Sequence, residues 1–335
     1  MEREQFFKKY NIIELDFQKT NLKWEDLLAI EKQYQVIKES LVVVGNAAAE
    51  ILRKHDKVHS IRMRMKDSEH LMEKIIRRQK NDPDLDINLG NFESIITDLI
   101  GVRALHLYKG DWDSIHDFIL DNWTTKGEPT AYYRNGDPDE VIKKYEEKGC
   151  LAKGHPYGYR SVHYVVEAKA TKKPTLIEIQ VRTIFEEAWS EIDHQVRYPY
   201  DLEHPITLPF LLIFNQFAGN ADSMGSFIKS LKENLEENKE HLNRTTEELK
   251  ATIEKSKVHE TEKEKLLKEI ESLKARMTYI ASGGFQYYGA SIKEPVIFEK
   301  TKCDKCGNLV TPHFSGVGGS FRGPFCPSCG TKLKI

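Results

Sequence analysis

The sequence predicts an α+β protein: a mixed sheet flanked by helices, then a long helix or helical hairpin, then a small cysteine-bearing ribbon. Three observations carry this. Residues 154–183 alternate apolar and polar positions with period two on either side of a polar turn, which marks a strand pair with one buried face. Residues 227–280 contain neither glycine nor proline and repeat apolar residues at helical spacing. Two CxxC pairs close the chain.

At 335 residues the chain allows about two domains by length alone. The patterning divides it into 1–205, 206–282 and 283–335. A net charge of -2 on a chain that is 30% charged favours no class of partner, so only local clusters are informative. The N-terminal ten residues lack the apolar core of a secretory signal. The longest apolar run, 208–214, is too short to span a bilayer and contains Pro209. A cytoplasmic protein without a membrane partner is expected. In that compartment paired cysteines favour metal over disulfides.

Residues 23–55 predict a helix with the stripe Leu27, Ile30, Tyr34 and Ile37, a packing element broken near Gly45. His55-Asp56 would suit a metal phosphohydrolase, but no other histidine lies upstream to complete such a site. Residues 60–80 gather Arg62, Arg64, Lys66, Lys74, Arg77, Arg78 and Lys80. Arg64 and Lys66 fall on a loop before a helix that Asp67 or Ser68 caps, and Lys74 and Arg78 lie one turn apart on that helix. The cluster reads either as a polyphosphate cradle or as a solvated basic helix. Asp98 precedes an apolar strand that starts near Gly101. It is either a turn residue or a carboxylate placed to hold Mg²⁺ beside phosphates. A helix follows over 111–120. Residues 121–150 read as a variable loop plus a short helix, with Cys150 a free thiol.

In the first strand of the central pair, Val162, Tyr164, Val166 and Ala168 share one face and Ser161, His163 and Glu167 the other. In the second, Ile177, Ile179 and Val181 alternate with Glu178, Gln180 and Arg182. That open face carries a carboxylate, an amide and a guanidinium in a row, more chemistry than a solvated sheet face needs. Thr183 and Glu186 form a capping-box pattern for the next helix. Its expected buried stripe is Phe185, Ala188/Trp189, Ile192 and Val196, with His194 and Arg197 off it, His194 being structural or supporting.

Beyond it, Ile228, Leu235, Leu242 and Leu249 recur every seven residues, and Leu266, Ile270, Leu273, Met277 and Ile280 at four and three. The polar stretch 254–264 between them leaves one long helix or two antiparallel helices open, and with them either a homo-oligomer or an internal pair. Phe285, Tyr287 and Tyr288 sit in a glycine-bearing hinge and read as anchors. Cys303, Cys306, Cys326 and Cys329, two CxxC knuckles with nineteen residues between them, have the spacing of a structural Cys₄ zinc ribbon. His313 is a weaker substitute ligand. Zn²⁺ would supply the stability that so short a tail cannot draw from a core.

Taken together, several segments resemble the synthetase domain of the RelA/SpoT alarmone family, over about residues 45–200. Arg64, Lys66, His70 and Lys74 follow its R-x-K-x-x-x-S-x-x-x-K pattern, with His70 where the family has Ser. Residues 98–103 match D-L-I-G-x-R, residues 158–163 G-Y-x-S-x-H, and residues 178–183 E-I-Q-x-R-T. Trp189, Asp193, His194 and Tyr198 look like the family's ending. The resemblance implies a nucleotidyltransferase-like synthetase domain of the small, synthetase-only type. It would transfer pyrophosphate from ATP to the 3′-hydroxyl of GDP or GTP.

The resemblance also implies roles. Arg64 would lie against the ATP adenine, and Lys66, Lys74 and Arg78 would bind its phosphates. Asp98 and Glu178 would hold catalytic Mg²⁺, with Glu178 taking the acceptor hydroxyl's proton. Tyr159 would stack on the acceptor base, His163 would bind phosphates, and Gln180 and Arg182 would complete the acceptor face. A second reading is the toxin-like branch, which pyrophosphorylates the 3′-terminal adenosine of tRNA. There the zinc-bearing tail inhibits the enzyme and senses a phage protein, and Tyr287 or Tyr288 would occlude the adenine site. A third is a non-enzymatic nucleic-acid-binding scaffold, which the retained carboxylates, tyrosine and cations argue against. For the tail, the purified protein is expected to carry about one zinc per chain. Cys326→Ser should lose it, and chelation should lower the melting temperature. Metal analysis and differential scanning calorimetry check this.

Overall fold

In the computed structural model, the described residues are 2–169, 174–197, 206–256, 259–281, 301–302, 309–310, 313–317 and 320–325, with 276–281 and the last four segments as backbone only. They form two compact units, Met1–Asn234 and Leu235–Ile335.

The first unit opens with α1 (Arg3–Lys9), α2 (Glu14–Gln18) and α3 (Trp24–Arg53). Next come β1 (Ser60–Met65), α4 (Ser68–Asn81), α5 (Phe92–Ile95) and β2 (Ile100–His106). A 3₁₀ turn at Lys109–Asp111 leads into α6 (Trp112–Asn122), β3 (Thr124–Thr125), β4 (Thr130–Arg134) and α7 (Asp139–Glu147). Then follow β5 (Leu151–His155), β6 (Ser161–Ala168), β7 (Thr175–Thr183) and α8 (Ile184–Arg197). The helix α9 (Thr207–Lys255) begins in this unit.

The sheet runs β1-β2-β7-β6-β4-β5, with β3 on β6. It is mixed, as expected: β2 and β7 are parallel, as are β4 and β5, and the other pairs are antiparallel. Adjacent residues in register share a face. Met63, Val102, Ile179 and Tyr164 therefore lie in one row, and Val102, Ala104, Ile177, Ile179, Val181, Val162 and Val166 are all buried there. Each fully buried isoleucine in this layer stabilises the fold by on the order of 2 kcal/mol. Tyr164 is buried in the same layer because its hydroxyl is satisfied: Trp112 Nε1 donates to it at 3.0 Å and His116 Nδ1 lies at 3.0 Å.

Four expectations are corrected. Residues 60–65 are strand, not loop. Their cations had suggested a loop leading into a helix, yet Ile61, Met63 and Met65 alternate with Arg62 and Arg64 and pack on the core. The stretch 121–150 holds strands β3 and β4 as well as a helix. Gly45 does not break α3, which is continuous. It is a close-approach glycine: a Cβ there would lie 2.8 Å from Ile100 Cγ2 and 3.2 Å from Met63 Cγ. Finally, the stripe expected to be buried on α8 is turned outward, with Phe185, Ile192 and Val196 at 42, 44 and 40% exposure. Trp189 is buried as expected, but the other buried residues of the helix are Glu187 and Arg197.

The first half of α9 lies along this unit with Leu211, Asn215, Ala218 and Asp222 buried on one face. Trp189 Nε1 donates to Leu211 O at 3.0 Å, Thr183 Oγ1 to Asp222 Oδ2 at 3.0 Å, and Lys229 Nζ to Asp111 Oδ1 at 2.8 Å. In the second unit the rest of α9 is followed by α10 (Glu260–Ala281), so the helical segment is two helices rather than one. An ion pair joins Lys250 to Glu271 across the break. The strands β8 (Thr301–Lys302), β9 (Leu309–Val310), β10 (His313–Val317) and β11 (Ser320–Phe325) pair as two antiparallel hairpins. The cysteines at 303, 306, 326 and 329, the hinge tyrosines 287 and 288, and Tyr198 lie outside the described residues. No helix among the described residues is long and apolar enough to cross a membrane.

The close approach at Gly45 reverses the usual helix preference. Alanine is about 1 kcal/mol better than glycine in an exposed helix. Here Gly45→Ala is expected to destabilise the protein by roughly 1–3 kcal/mol through overpacking against Ile100, measured by urea unfolding.

Candidate functional site

The face of the sheet opposite the core gathers the charged residues. The register aligns Arg64, Gly101, Glu178 and Val165 across four strands, and Arg62, Arg103, Gln180, His163 and Thr130 across five. Gly101 leaves room for the Arg64 side chain to cross the β2 backbone, since a Cβ there would already sit 3.4 Å from Arg64 Cγ and Nε. Burial, then repulsion from Arg103, lowers the Arg64 pKa.

At one end of this face Asp98 Oδ2 lies 2.8 Å from Lys66 Nζ and 2.7 Å from Lys74 Nζ. Lys66 is placed by its backbone, whose N–H donates to Leu99 O at 3.0 Å and whose carbonyl accepts from Tyr34 Oη at 2.6 Å. Lys74 is placed by α4, capped by Asp67, whose Oδ1 accepts from the backbone N–H groups of Glu69 and His70 at 3.0 and 3.1 Å. Burial alone would raise the Asp98 carboxyl, but the two ammoniums outweigh it and hold it down to about 2. Burial lowers the Lys74 pKa, which Asp98 only partly offsets. One carboxylate shared by two half-buried ammoniums leaves surplus positive charge. Asp98 Oδ1 is buried without a hydrogen-bond partner.

Arg78 does not join this cluster. Its Nη1 donates to Ile95 O at 2.8 Å and pins the segment leading to Asp98. His70 packs edge-on to Tyr10, the residue that follows α1, with ring centroids 5.7 Å apart.

At the other end, Tyr159 Oη lies 2.8 Å from His163 Nε2, and the two rings are perpendicular. Arg182 Cζ stands 5.5 Å from the Tyr159 ring centroid, with Nη1 3.4 Å from Tyr159 Oη. Tyr132 from β4 packs edge-on against both Tyr159 and His163. Burial pushes the His163 pKa down to about 4, a fall that the Glu178 carboxylate limits. His163 Nδ1 lies 3.7 Å from Glu178 Oε1. Burial raises the Tyr159 hydroxyl. Glu178 Oε2 accepts from Gln180 Nε2 at 2.7 Å, and Gln180 Oε1 accepts from Arg182 Nη2 at 3.0 Å.

The face of β7 is not open along its length, as the alternation had suggested. Gln180 is buried and Arg182 is 1% exposed, with α8 packed against Arg182. Arg182 Nη1 donates to Ser190 Oγ at 2.8 Å, and its Nε lies 2.8 Å from Glu187 Oε2 as an ion pair without hydrogen-bond alignment. Arg103 Nη1 donates to Glu187 Oε1 at 2.8 Å and also to Glu191, which pairs with Arg62 at 2.9 Å. Arg103, Glu187, Ser190, Glu191 and Tyr132 had been given no role from the sequence. The i, i+4 glutamates on the helix after an arginine-bearing strand were the available signal.

The structure thus brings together Lys66, Lys74 and Asp98 as one group and Tyr159, His163, Glu178, Gln180 and Arg182 as another, on one sheet face with Arg64 in the same row as Glu178. Among the described residues no group of three or more His, Cys, Asp or Glu side chains is gathered to hold a metal ion. Two carboxylates, one with an orphaned buried oxygen, nevertheless fit the chemistry of Mg²⁺, which completes its shell with substrate oxygens and water.

Residues 63–203 match the family model described as a region found in RelA / SpoT proteins. This RelA/SpoT region is under half of the chain and contains all four motifs of the site. No curated protein matches the sequence. Among solved structures, the small alarmone synthetase 1 from Bacillus subtilis is similar at 20% identity and a TM-score of 0.42, over 62% of this chain and 96% of that one. A GTP pyrophosphokinase family protein from Streptococcus pneumoniae is similar at 24% identity and a TM-score of 0.40, over 64% and 97%. The Bacillus subtilis protein bound to its product pppGpp is similar at 22% identity and a TM-score of 0.38, over 62% and 96%. TM-scores this low add nothing to the architecture described above.

His163 should titrate near 4, by NMR of its imidazole, and stay neutral between pH 5 and 8. An unfolded histidine binds its proton near 6.5, so this residue's contribution to stability is lost as pH falls from about 6.5 to 4. His163→Gln is expected to flatten that part of the stability profile in acid unfolding.

Proposed function

We propose that this chain is an ATP-dependent pyrophosphokinase that transfers pyrophosphate to the 3′-hydroxyl of GDP or GTP. The observation that carries the reading is the pair of ammoniums on Asp98, set at one end of a sheet face whose other end carries Tyr159 and His163, with Glu178 in the row between. The match of residues 63–203 supports it.

Lys66 and Lys74 take the ATP phosphates, for which their surplus charge is matched, and Arg64 lies against the adenine. Asp98 and Glu178 would hold Mg²⁺, which supplies charge neutralisation on the transferring phosphates when bound. Tyr159 stacks on the acceptor base. Arg182 holds the Tyr159 hydroxyl, which in turn orients His163; that imidazole is neutral at physiological pH and gives or takes one further hydrogen bond at the acceptor. Glu178, steadied by Gln180, takes the proton of the acceptor hydroxyl. The acceptor oxygen bonds to the β-phosphorus as the bond to the bridging α–β oxygen breaks, and AMP leaves. Arg78 acts on the donor side through Ile95 and the segment before Asp98.

The two CxxC pairs beyond the synthetase unit favour a second acceptor, the 3′-terminal adenosine of tRNA, with the tail as inhibitor and sensor of a protein. Ile228, Leu235 and Leu249 are exposed on α9, which supports pairing with a second copy.

With γ-labelled ATP, label is expected on GDP or GTP. Label on deacylated tRNA alone would select the second acceptor, and label on nothing, with or without the tail, would favour a scaffold. Glu178→Gln should reduce kcat by roughly 10²–10⁴-fold. Tyr159→Ala should cost roughly 1–3 kcal/mol of acceptor binding through lost stacking, with circular dichroism unchanged in both.

A further inference from the structure

The loop that presents Tyr159 is not held by the sheet alone. Gly158 and Arg160, the residues on either side of the tyrosine, are both bonded to one side chain of α9. Asn215 Nδ2 donates to Gly158 O at 2.8 Å, and Asn215 Oδ1 accepts from Arg160 Nη1 at 3.4 Å. Arg160 is fixed on its other side by Asp137, through Nε at 2.7 Å and Nη2 at 2.6 Å. The helix comes close enough that a Cβ on Gly158 would meet Asn215 Oδ1 at 2.9 Å, and one on Gly219 would meet Arg160 Nη2 at 3.3 Å.

Asn215 is 2% exposed. A buried amide is costly unless its donor and acceptor are both used, and here both are spent on the backbone and side chain flanking Tyr159. Its neighbours on the same helix face are apolar Leu211 and Ala218, which would dock the helix without it. Asn215 also lies beyond residues 63–203, so nothing in the matched region accounts for it.

We propose that Asn215 is a positioning residue for Tyr159: from α9 it fixes the chain on both sides of the tyrosine and so sets the ring's place in the acceptor site. The acceptor role of Tyr159 rests on the function proposed above, whereas the grip on the loop does not.

The test uses the full chain with Asn215→Ala and Asn215→Asp. The aspartate keeps the acceptor for Arg160 and loses the donor to Gly158. Both should raise the KM for the acceptor by roughly tenfold while leaving the KM for ATP within about twofold and kcat within about threefold, the scale of one buried hydrogen bond. Amide exchange measured by mass spectrometry should rise in the 155–161 peptide and not in residues 60–80. Leu211→Ala is the control for helix docking, expected to lower the melting temperature without shifting the acceptor KM. Equal rises in both KM values, unchanged exchange at 155–161, or the same acceptor KM shift from Leu211→Ala would overturn the proposal. Should Asn215→Ala fail to fold, Asn215→Asp decides. If the wild type labels neither GDP, GTP nor tRNA, the proposed function falls and the exchange measurement alone decides whether Asn215 fixes the loop.

Discussion

Two arginines buried on a sheet face set the terms for the rest of the site. Arg182 is 1% exposed and Arg103 7%. An unpaired guanidinium there would cost several kcal/mol in desolvation. The helix that covers them must therefore bring acids, and α8 brings Glu187 between the two arginines and Glu191 beside Arg103 and Arg62. That requirement fixes the rotation of α8 about its axis. It turns Phe185, Ile192 and Val196 outward and leaves Trp189 to meet α9. Arg182, once held by Glu187 and Ser190, has Nη2 for Gln180 and a guanidinium plane beside Tyr159. The geometry around Tyr159 and His163 is thus set by the protein's own ion pairs, as electrostatic preorganisation requires.

The two ends of the face are electrostatically unlike. At one, two ammoniums share a single carboxylate, and the excess charge suits an anion of high charge density. At the other, His163 is held neutral by burial and Tyr159 stays protonated, so the groups there offer hydrogen bonds and a π-face rather than net charge. Under the proposed function this division separates a triphosphate from a base and ribose without a barrier between them. Glu178 sits in the row shared with Arg64 and Gly101, the place on the sheet where the two halves meet.

The central strand pair was legible because its alternation is strict and one face is wholly apolar, so Ile177, Ile179 and Val181 could only point inward. The chemistry of Asp98, Lys66 and Lys74 was legible as composition, and their meeting at one oxygen was not. Strand β1 was misread because Arg62, Arg64 and Lys66 suggested a cationic loop leading into a helix, although Ile61, Met63 and Met65 already marked its inner face. The rotation of α8 was misread for a related reason. A hydrophobic stripe identifies the buried face of a helix only when its partner is apolar, and this partner is a row of arginines. Gly45 was taken for a breaker because nothing local distinguishes a glycine that weakens a helix from one that lets a sheet approach it.

The glycine of the G-Y-R-S-V-H stretch shows the same limit from the other side. Gly158 has φ +79°, a left-handed conformation that alone would account for its identity. A turn reading therefore satisfies the sequence and closes the question early. Yet Asn215 stands where a Cβ would be, fifty-seven residues along the chain. Removing the conformational strain would not make room for another side chain, and removing the helix would not relieve the strain. The residue answers to two constraints, one local and one tertiary. The compact unit that includes this contact runs to Asn234, well past the end of the RelA/SpoT region at residue 203. The structural boundary of the site is therefore set by the helix that touches Gly158, not by the last motif in the sequence.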